Sequence, residues 1–315
     1  MDTATTPELG APAPGAPRIP AAPEQRSGRL VPLAAAVTVV LWASAFIGIR
    51  AAGHDYSPGA LTLGRIAVGT LALTVLAGMA GKLRLPRGRV LGGVIVWGVL
   101  WFGVYNITLN AAERTLDAGT AALLVQLAPI LTAVVAGLAL GEGFPARLLT
   151  GIGIAFTGVA VIAWASSSGT SDLGAVLLGL AAAVLYSTGA VLQKRMLPRI
   201  DALTMTWLGC LAGTVATLPF AGTLVAELAA APASATLGVI YLGVAPTAIA
   251  FATWGYALSH TTAGRLSATT YAVPPIAVLL SWWLLGEIPA PITLAGGLLC
   301  LGGVVLATLR PRGAR

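Results

Sequence analysis

Apolar runs of about 20 residues recur along this chain, with only short polar breaks between them. Ten can be marked, at 30–49, 60–80, 90–110, 118–140, 148–165, 173–192, 202–220, 235–258, 266–285 and 290–309. A helix needs about 20 mostly apolar residues to cross a bilayer. In lipid every backbone polar group must be satisfied within the protein, which restricts spanning structures to helices and closed barrels. Barrel strands are shorter and alternate in polarity, and these runs do neither. The sequence therefore predicts an all-α integral membrane protein with ten transmembrane helices. Composition agrees. The chain is 57% hydrophobic and 9% charged, whereas soluble domains carry about 25% charged residues. So few charges cannot cover a water-facing surface.

The connections are too short for a sizeable soluble domain. Met1–Gly28, rich in Pro and Ala, is expected to be a disordered tail. It lacks the basic start and apolar core of a cleaved signal, so the first run, after Arg29, is expected to be an uncleaved signal anchor. The net charge of +7 could suggest nucleic acid, but its placement argues otherwise. With the N-terminus cytoplasmic, every Lys and Arg except Arg50, Arg65 and Arg114 falls on the cytoplasmic side. That bias predicts cytoplasmic N- and C-termini, with the basic excess facing an anionic leaflet. High Ala, Gly and Arg usage suggests a bacterial plasma membrane. Cys210 and Cys300 both fall mid-span, where buried thiols are usually inert. No disulfide, metal or cofactor is expected.

The chain repeats itself. An offset of 145 residues maps Pro129 to Pro274, Leu140-Gly141-Glu142 to Leu285-Gly286-Glu287, Ala118-Gly119 to Ala263-Gly264, Gly151 to Gly296, and Gly158 to Gly303. An offset of 144 aligns 41–50 with 185–194, and 142 aligns Leu61-Thr62 with Leu203-Thr204. Two five-helix units follow, at 29–165 and 173–310, with 311–315 a basic tail. Five is odd, so the second unit enters the membrane from the opposite side. Such 5+5 inverted repeats are an architecture of secondary transporters, with the site at the repeat interface.

These features resemble the ten-helix EamA-type exporters of the drug/metabolite transporter superfamily. The matching pieces are Trp42-Ala-Ser-Ala-Phe46, Pro58 with Leu61-Thr-Leu-Gly-Arg65, Asn110-Ala-Ala, and Ala118-Gly-Thr-Ala-Ala-Leu-Leu124. Pro129 and Leu140-Gly-Glu142 complete the first half. The second half supplies Tyr241-Leu-Gly-Val-Ala-Pro-Thr-Ala248, Trp254-Gly-Tyr-Ala257, Pro274 and Leu285-Gly-Glu287. The resemblance covers roughly 30–310. It implies a central cavity lined by the first, third, fourth, sixth, eighth and ninth helices. It also implies efflux of small metabolites such as amino acids.

Arg65 is the ionisable side chain well inside a predicted span, about 10 Å along the second helix from its outer end. It could meet a substrate carboxylate. Alternatively it could bind helix-end carbonyls or snorkel toward Asp55 or Asp117. Gln126 and Tyr271 occupy equivalent positions three residues before paired prolines, and are cavity candidates or interhelical glue. Trp42 pairs with Tyr186 by register, and Ser44 with Thr188. Trp42 sits away from the interfacial belt, favouring a cavity wall or core. Tyr105 and Asn106 are further cavity candidates. Trp254, Tyr256, Trp282 and Trp283 read as belt residues. Pro129, Pro274 and Pro275 should kink the fourth and ninth helices and free the carbonyls of Val125, Thr270 and Tyr271. Glu142 and Glu287 end equivalent helices at opposite faces, as turn caps, partners of basic groups such as Arg147, or gates.

No Asp or Glu falls mid-span, which favours uniport over proton coupling. Gly151, Gly153 and Gly158 lie in a span and lack the spacing of a nucleotide loop. With Gly296, Gly297, Gly302 and Gly303 they suit close helix packing, with a homodimer through the fifth and tenth helices as one use. The expected partners are a small-molecule solute and membrane lipid, not nucleic acid. Multidrug or nucleotide-sugar transport is the alternative cargo, although one Arg is thin for a pyrophosphate. An integral-membrane lipid or isoprenoid enzyme is a reading of another class. It would need paired carboxylates or a His cluster, and His54 and His260 fall on opposite sides.

Overall fold

The computed structural model describes residues 30–128, 130–131, 146–167, 173–260, 266 and 269–308. Both tails, Pro129, Glu142 and most of the second half of the fourth run lie outside these residues. Everything regular that is described is helical. Six helices are long and apolar enough to cross a membrane: Val31–Ala52, Pro58–Met79, Arg89–Ala112, Leu173–Gln193, Ala202–Ala230 and Ala233–Ala257. Leu149–Ile162, Thr270–Leu285 and Pro291–Leu306 are shorter apolar helices.

The first half comprises α1 (Val31–Ala52), α2 (Pro58–Met79), α3 (Arg89–Gly98), α4 (Tyr105–Ala112), α5 (Ala118–Val125) and α6 (Ala146–Ser167). The second comprises α7 (Leu173–Met196), α8 (Ala202–Thr217), α9 (Ala221–Ala230), α10 (Ala233–Leu242), α11 (Ala250–His260), α12 (Val273–Leu285) and α13 (Pro291–Thr308). Helix starts follow local chemistry. Proline occupies the first turn of α1, α2 and α12, where its missing N–H costs no intrahelical bond. Asp117 and Asp201 cap α5 and α8 by accepting hydrogen bonds from the amides of Thr120 (2.8 Å) and Thr204 (3.2 Å).

A π-helical stretch, Val99–Val104, joins α3 to α4, and a second, Gly243–Ile249, joins α10 to α11. The two lie 144–145 residues apart. Pro246 explains the second, because it cannot donate in an α-helical ladder. In the first, the amide of Asn106 donates to the carbonyls of Trp101 (3.1 Å) and Phe102 (3.0 Å).

Contacts between equivalent positions recur. Thr70 and Thr214 share a hydrogen bond (2.9 Å). Cys210 Sγ lies 3.4 Å from the carbonyl of Ile66, and Cys300 Sγ 3.3 Å from that of Ala155. Each pair is separated by 144 or 145 residues. The glycines of α6 and α13 face each other within this one chain, with Gly158 against the carbonyl of Gly296 and Gly303 against that of Gly151. Gly98 and Gly209 similarly bring α3 backbone to backbone with α8.

Two expectations change. The seventh run does not stop at 220: a 3-10 turn at Leu218–Phe220, built around Pro219, re-aims the chain into α9, so this apolar helical stretch extends to Ala230. Pro274 and Pro275 do not kink a continuous helix. They sit in the first turn of α12, after a 3-10 turn at Thr270–Ala272. A helix start tolerates missing donors that a helix interior does not. Pro274 is buried and Pro275 exposed.

Candidate functional site: a buried charged and aromatic cluster

Four of the membrane-crossing segments contribute to one aromatic chamber. Trp101 lies 4.9 Å from Tyr186 and 6.5 Å from Tyr105, and Tyr105 is 6.0 Å from Tyr186, between ring centroids. Trp42 stacks 5.0 Å from Trp254 and 5.5 Å from Phe251, and Phe251 meets Trp101 at 6.3 Å. The sequence candidates Trp42, Tyr105 and Tyr186 are thus brought together. Trp254, expected in the interfacial belt, joins them. These separations are in the range where aromatic pairs attract beyond simple burial.

Ser44 lies on α1 but turns toward Tyr241, sharing a 2.6 Å hydrogen bond with its hydroxyl, and also donates to the carbonyl of Leu41. Asn106 is buried, but its amide is committed to backbone carbonyls. Gln126 ends α5, where the helix breaks into a turn before Pro129, and its amide reaches Thr270 Oγ1 at 3.4 Å. Tyr271 occupies the facing 3-10 turn and is half-buried against the core. The fourth and ninth segments therefore meet at their breaks.

Arg65 is 7% exposed. Its Nε donates to Thr247 Oγ1 at 3.0 Å, and that hydroxyl donates to the carbonyl of Leu242 at 2.8 Å, inside the π-helical stretch. No other hydrogen bond or ion pair engages its guanidinium among the described residues, which leaves the two Nη groups uncommitted. It reaches neither Asp55 nor Asp117. The carboxylate that feels its charge is Glu113, one residue past α4.

Glu113 is 1% exposed, and both its carboxyl oxygens are buried without a hydrogen-bond donor. Burial pushes its pKa well above the usual carboxylate range, against the lowering pull of Arg65 and Arg50. A negative charge at a helix C-terminus is also unfavourable. The described spans do lack a mid-span carboxylate. Glu113 nevertheless supplies a buried carboxyl group just beyond them.

Above this pair, at the end of α1, Arg50 ties three elements. Its Nε donates to Glu287 Oε1 (3.0 Å) and Oε2 (3.3 Å). Its Nη1 donates to the carbonyls of Glu113 (3.0 Å) and Arg114 (2.9 Å), satisfying the open C-terminal end of α4. Glu287 is delivered by the left-handed Gly286 (φ 68°) that ends α12, with the Glu287 amide turned back to Ser281. The ion pair is largely shielded, with side-chain exposures of 17% and 28%. Sequence reasoning passed over Arg50 and Glu113 because both look like loop charges. The signal that could have found Glu113 is its place at a helix C-terminus, where an acid has no electrostatic reason to be.

Residues 29–164 and again 173–309 match the EamA-like transporter family. The chain belongs to that family. A probable terminal-alkyne amino-acid exporter of Streptantibioticus cattleyicolor is 37% identical, over 89% of this chain and 93% of its own length. An uncharacterized transporter of Bacillus subtilis is 35% identical over 86% and 88%. A probable amino-acid metabolite efflux pump of Salmonella typhimurium is 24% identical over 86% and 92%. A crystal structure at 21% identity shares the fold, with a TM-score of 0.60, over 88% of this EamA-like transporter and 97% of that chain. The family and these relatives are named for transport rather than catalysis. Among the described residues no group of His, Cys, Asp or Glu could hold a metal ion.

Proposed function

We propose that this EamA-like transporter exports small zwitterionic metabolites of the amino-acid class, by alternating access between two inverted five-helix units in a bacterial plasma membrane. The observation that carries the substrate class is the Arg65–Glu113 arrangement. A cation with two uncommitted Nη groups and a carboxyl group with no donor are buried near each other, beside an aromatic wall. An amino acid would give its carboxylate to Arg65, and its ammonium would donate to a carboxyl oxygen of Glu113, a group whose neutral form burial favours, with the faces of Trp101, Tyr105 and Tyr186 adding cation–π attraction. The names of the amino-acid exporters among its relatives support the same class. A nucleotide sugar would want several basic groups around its pyrophosphate, and Arg65 stands alone here.

The inverted 5+5 arrangement is supported by the two family matches, by contacts that join equivalent positions, and by π-helical stretches in equivalent places. With cytoplasmic termini, Arg50 and Glu287 close the outer end, so the conformation described is one shut to the outside. The repeat pairs with one another at the interface, where such transporters keep their site.

The test is flux of labelled amino acids from liposomes containing the purified protein. Arg65→Ala should abolish movement of the cargo that wild type carries, and Arg65→Lys should retain part of it. Normal flux in a correctly inserted Arg65→Ala protein would remove Arg65 from the site. Flux of amines or neutral drugs in preference to every amino acid would overturn the zwitterion reading.

A further inference from the structure

A pocket of about 310 Å3 lies between α3 and α7, lined by none of the aromatic cluster's residues. Arg89, Arg195 and Arg199 line it. No carboxylate does, and none of the three guanidinium groups makes a hydrogen bond or ion pair among the described residues. The acid near this end of the molecule, Asp201, is held 3.3 Å from Lys82. Three cations gathered without a counter-charge repel one another, and an anion relieves that repulsion.

The helix end adds to the attraction. α3 opens at this pocket from Gly88, whose φ of 61° suits glycine and whose missing side chain leaves the first turn uncapped. Amides at such an end, with the positive end of the helix dipole, favour an anion. Arg89 in that turn is electrostatically misplaced unless an anion shares the site. The rest of the lining is apolar: Val90, Val96, Leu192 and Met196, with Gly92 and Gly93 keeping the wall low. Val96 is 55% exposed. It lies about 10 Å along the helix from Arg89, toward the middle of the bilayer.

We propose that this pocket binds the phosphate headgroup of an anionic phospholipid of the cytoplasmic leaflet, with an acyl chain lying along Val90, Val96 and Leu192. The leaflet follows from the charge asymmetry of the loops. A basic pocket between spanning helices on that side is the geometry that recognises such headgroups. A free phosphate would share the arginines but would leave the apolar wall without a role.

The experiment uses the full purified chain and does not depend on transport, so its outcome is separate from the substrate assignment. Protein in nanodiscs of mixed phosphatidylglycerol and phosphatidylcholine is extracted, and the retained lipid is measured by native mass spectrometry. Wild type should retain phosphatidylglycerol preferentially. Arg89→Gln/Arg195→Gln/Arg199→Gln should lose that preference, by roughly a hundredfold if each arginine contributes the usual share at an anionic surface. Each single variant should lose part of it. Inorganic phosphate at the same concentration as the lipid should not displace it. Equal retention of the two lipids by wild type, an unchanged preference in the triple variant, or full displacement by inorganic phosphate would each overturn the proposal. If the triple variant does not fold, the single variants and the wild-type comparison still decide the question.

Discussion

The proposal that Arg50 and Glu287 close the outer end gives the sharpest quantitative test. Glu287→Gln keeps the shape of the side chain and one hydrogen-bond acceptor, but removes the charge. The wild-type carboxylate accepts one bifurcated hydrogen bond from the single N–H of Arg50 Nε, at 3.0 and 3.3 Å. A hydrogen bond to a charged group contributes about 1.5–3 kcal/mol, and a neutral one about 0.5–1.5 kcal/mol. The pair is partly shielded rather than fully buried, so the lower end applies, and the loss should be about 1–2 kcal/mol. If that energy belongs to the outward-closed state alone, the closed-to-open ratio should fall roughly five- to thirtyfold, since about 1.4 kcal/mol is a factor of ten. Arg50→Gln should shift it further, because it also releases the carbonyls of Glu113 and Arg114. The assay is a spin-label distance across the outer ends of α1 and α12 in liposomes, comparing the populations of short and long distances. Wild-type populations in both variants would refute the assignment of these residues to an outer closure. An intact closure in Glu287→Gln but not in Arg50→Gln would show that the carbonyl contacts, not the ion pair, hold it.

Other outcomes follow from packing and caps. Gly98→Ala should destabilise the protein by about 1–3 kcal/mol in a thermal-shift assay, because a Cβ there strikes the backbone of Gly209 and the core cannot give way. Gly153→Ala, with nothing within 4 Å of the added carbon, should be neutral or slightly stabilising. Asp201 is also titratable. Partial burial raises its pKa, but hydrogen bonds from Thr204 and the nearby Lys82 outweigh that and hold it below the usual value. A depressed folded-state pKa contributes stability that is present above the unfolded value and lost as pH falls through the folded one. Asp201→Asn should therefore melt lower than wild type at neutral pH, with the difference shrinking once pH drops below about 4. A difference that grows on acidification would contradict the cap.

Much of this architecture was legible because lipid leaves little choice. The apolar runs marked the six helices long enough to cross a membrane, and the register echo put Gln126 and Tyr271, like Trp42 and Tyr186, in equivalent places. What the sequence hid was the consequence of that pairing in space. Trp101 and Phe251 look like ordinary core aromatics until the third and eighth segments come together. Thr247 looks like a small polar residue after a proline, and only the π-helical turn presents its hydroxyl to Arg65. Glu113 and Arg50 fall beside short loops in the sequence, where charges are normally solvated. Here Arg50 links the ends of α1, α4 and α12, and both carboxyl oxygens of Glu113 are buried without a donor. Periodicity reports which face of a helix is apolar. It does not report how closely three helix ends approach.

The threonine pair at the crossing of α2 and α8 also bears on how such a molecule can move. Thr70 lies about 18 Å from the start of α2 and about 14 Å from its end by helical rise, so it sits near the middle of the helix. A rotation centred there leaves Thr70, Thr214 and the neighbouring Cys210–Ile66 contact almost stationary, while a tilt of about ten degrees carries the helix ends roughly 2–3 Å. A fulcrum of that kind lets one rim widen as the other narrows, with little repacking at the middle.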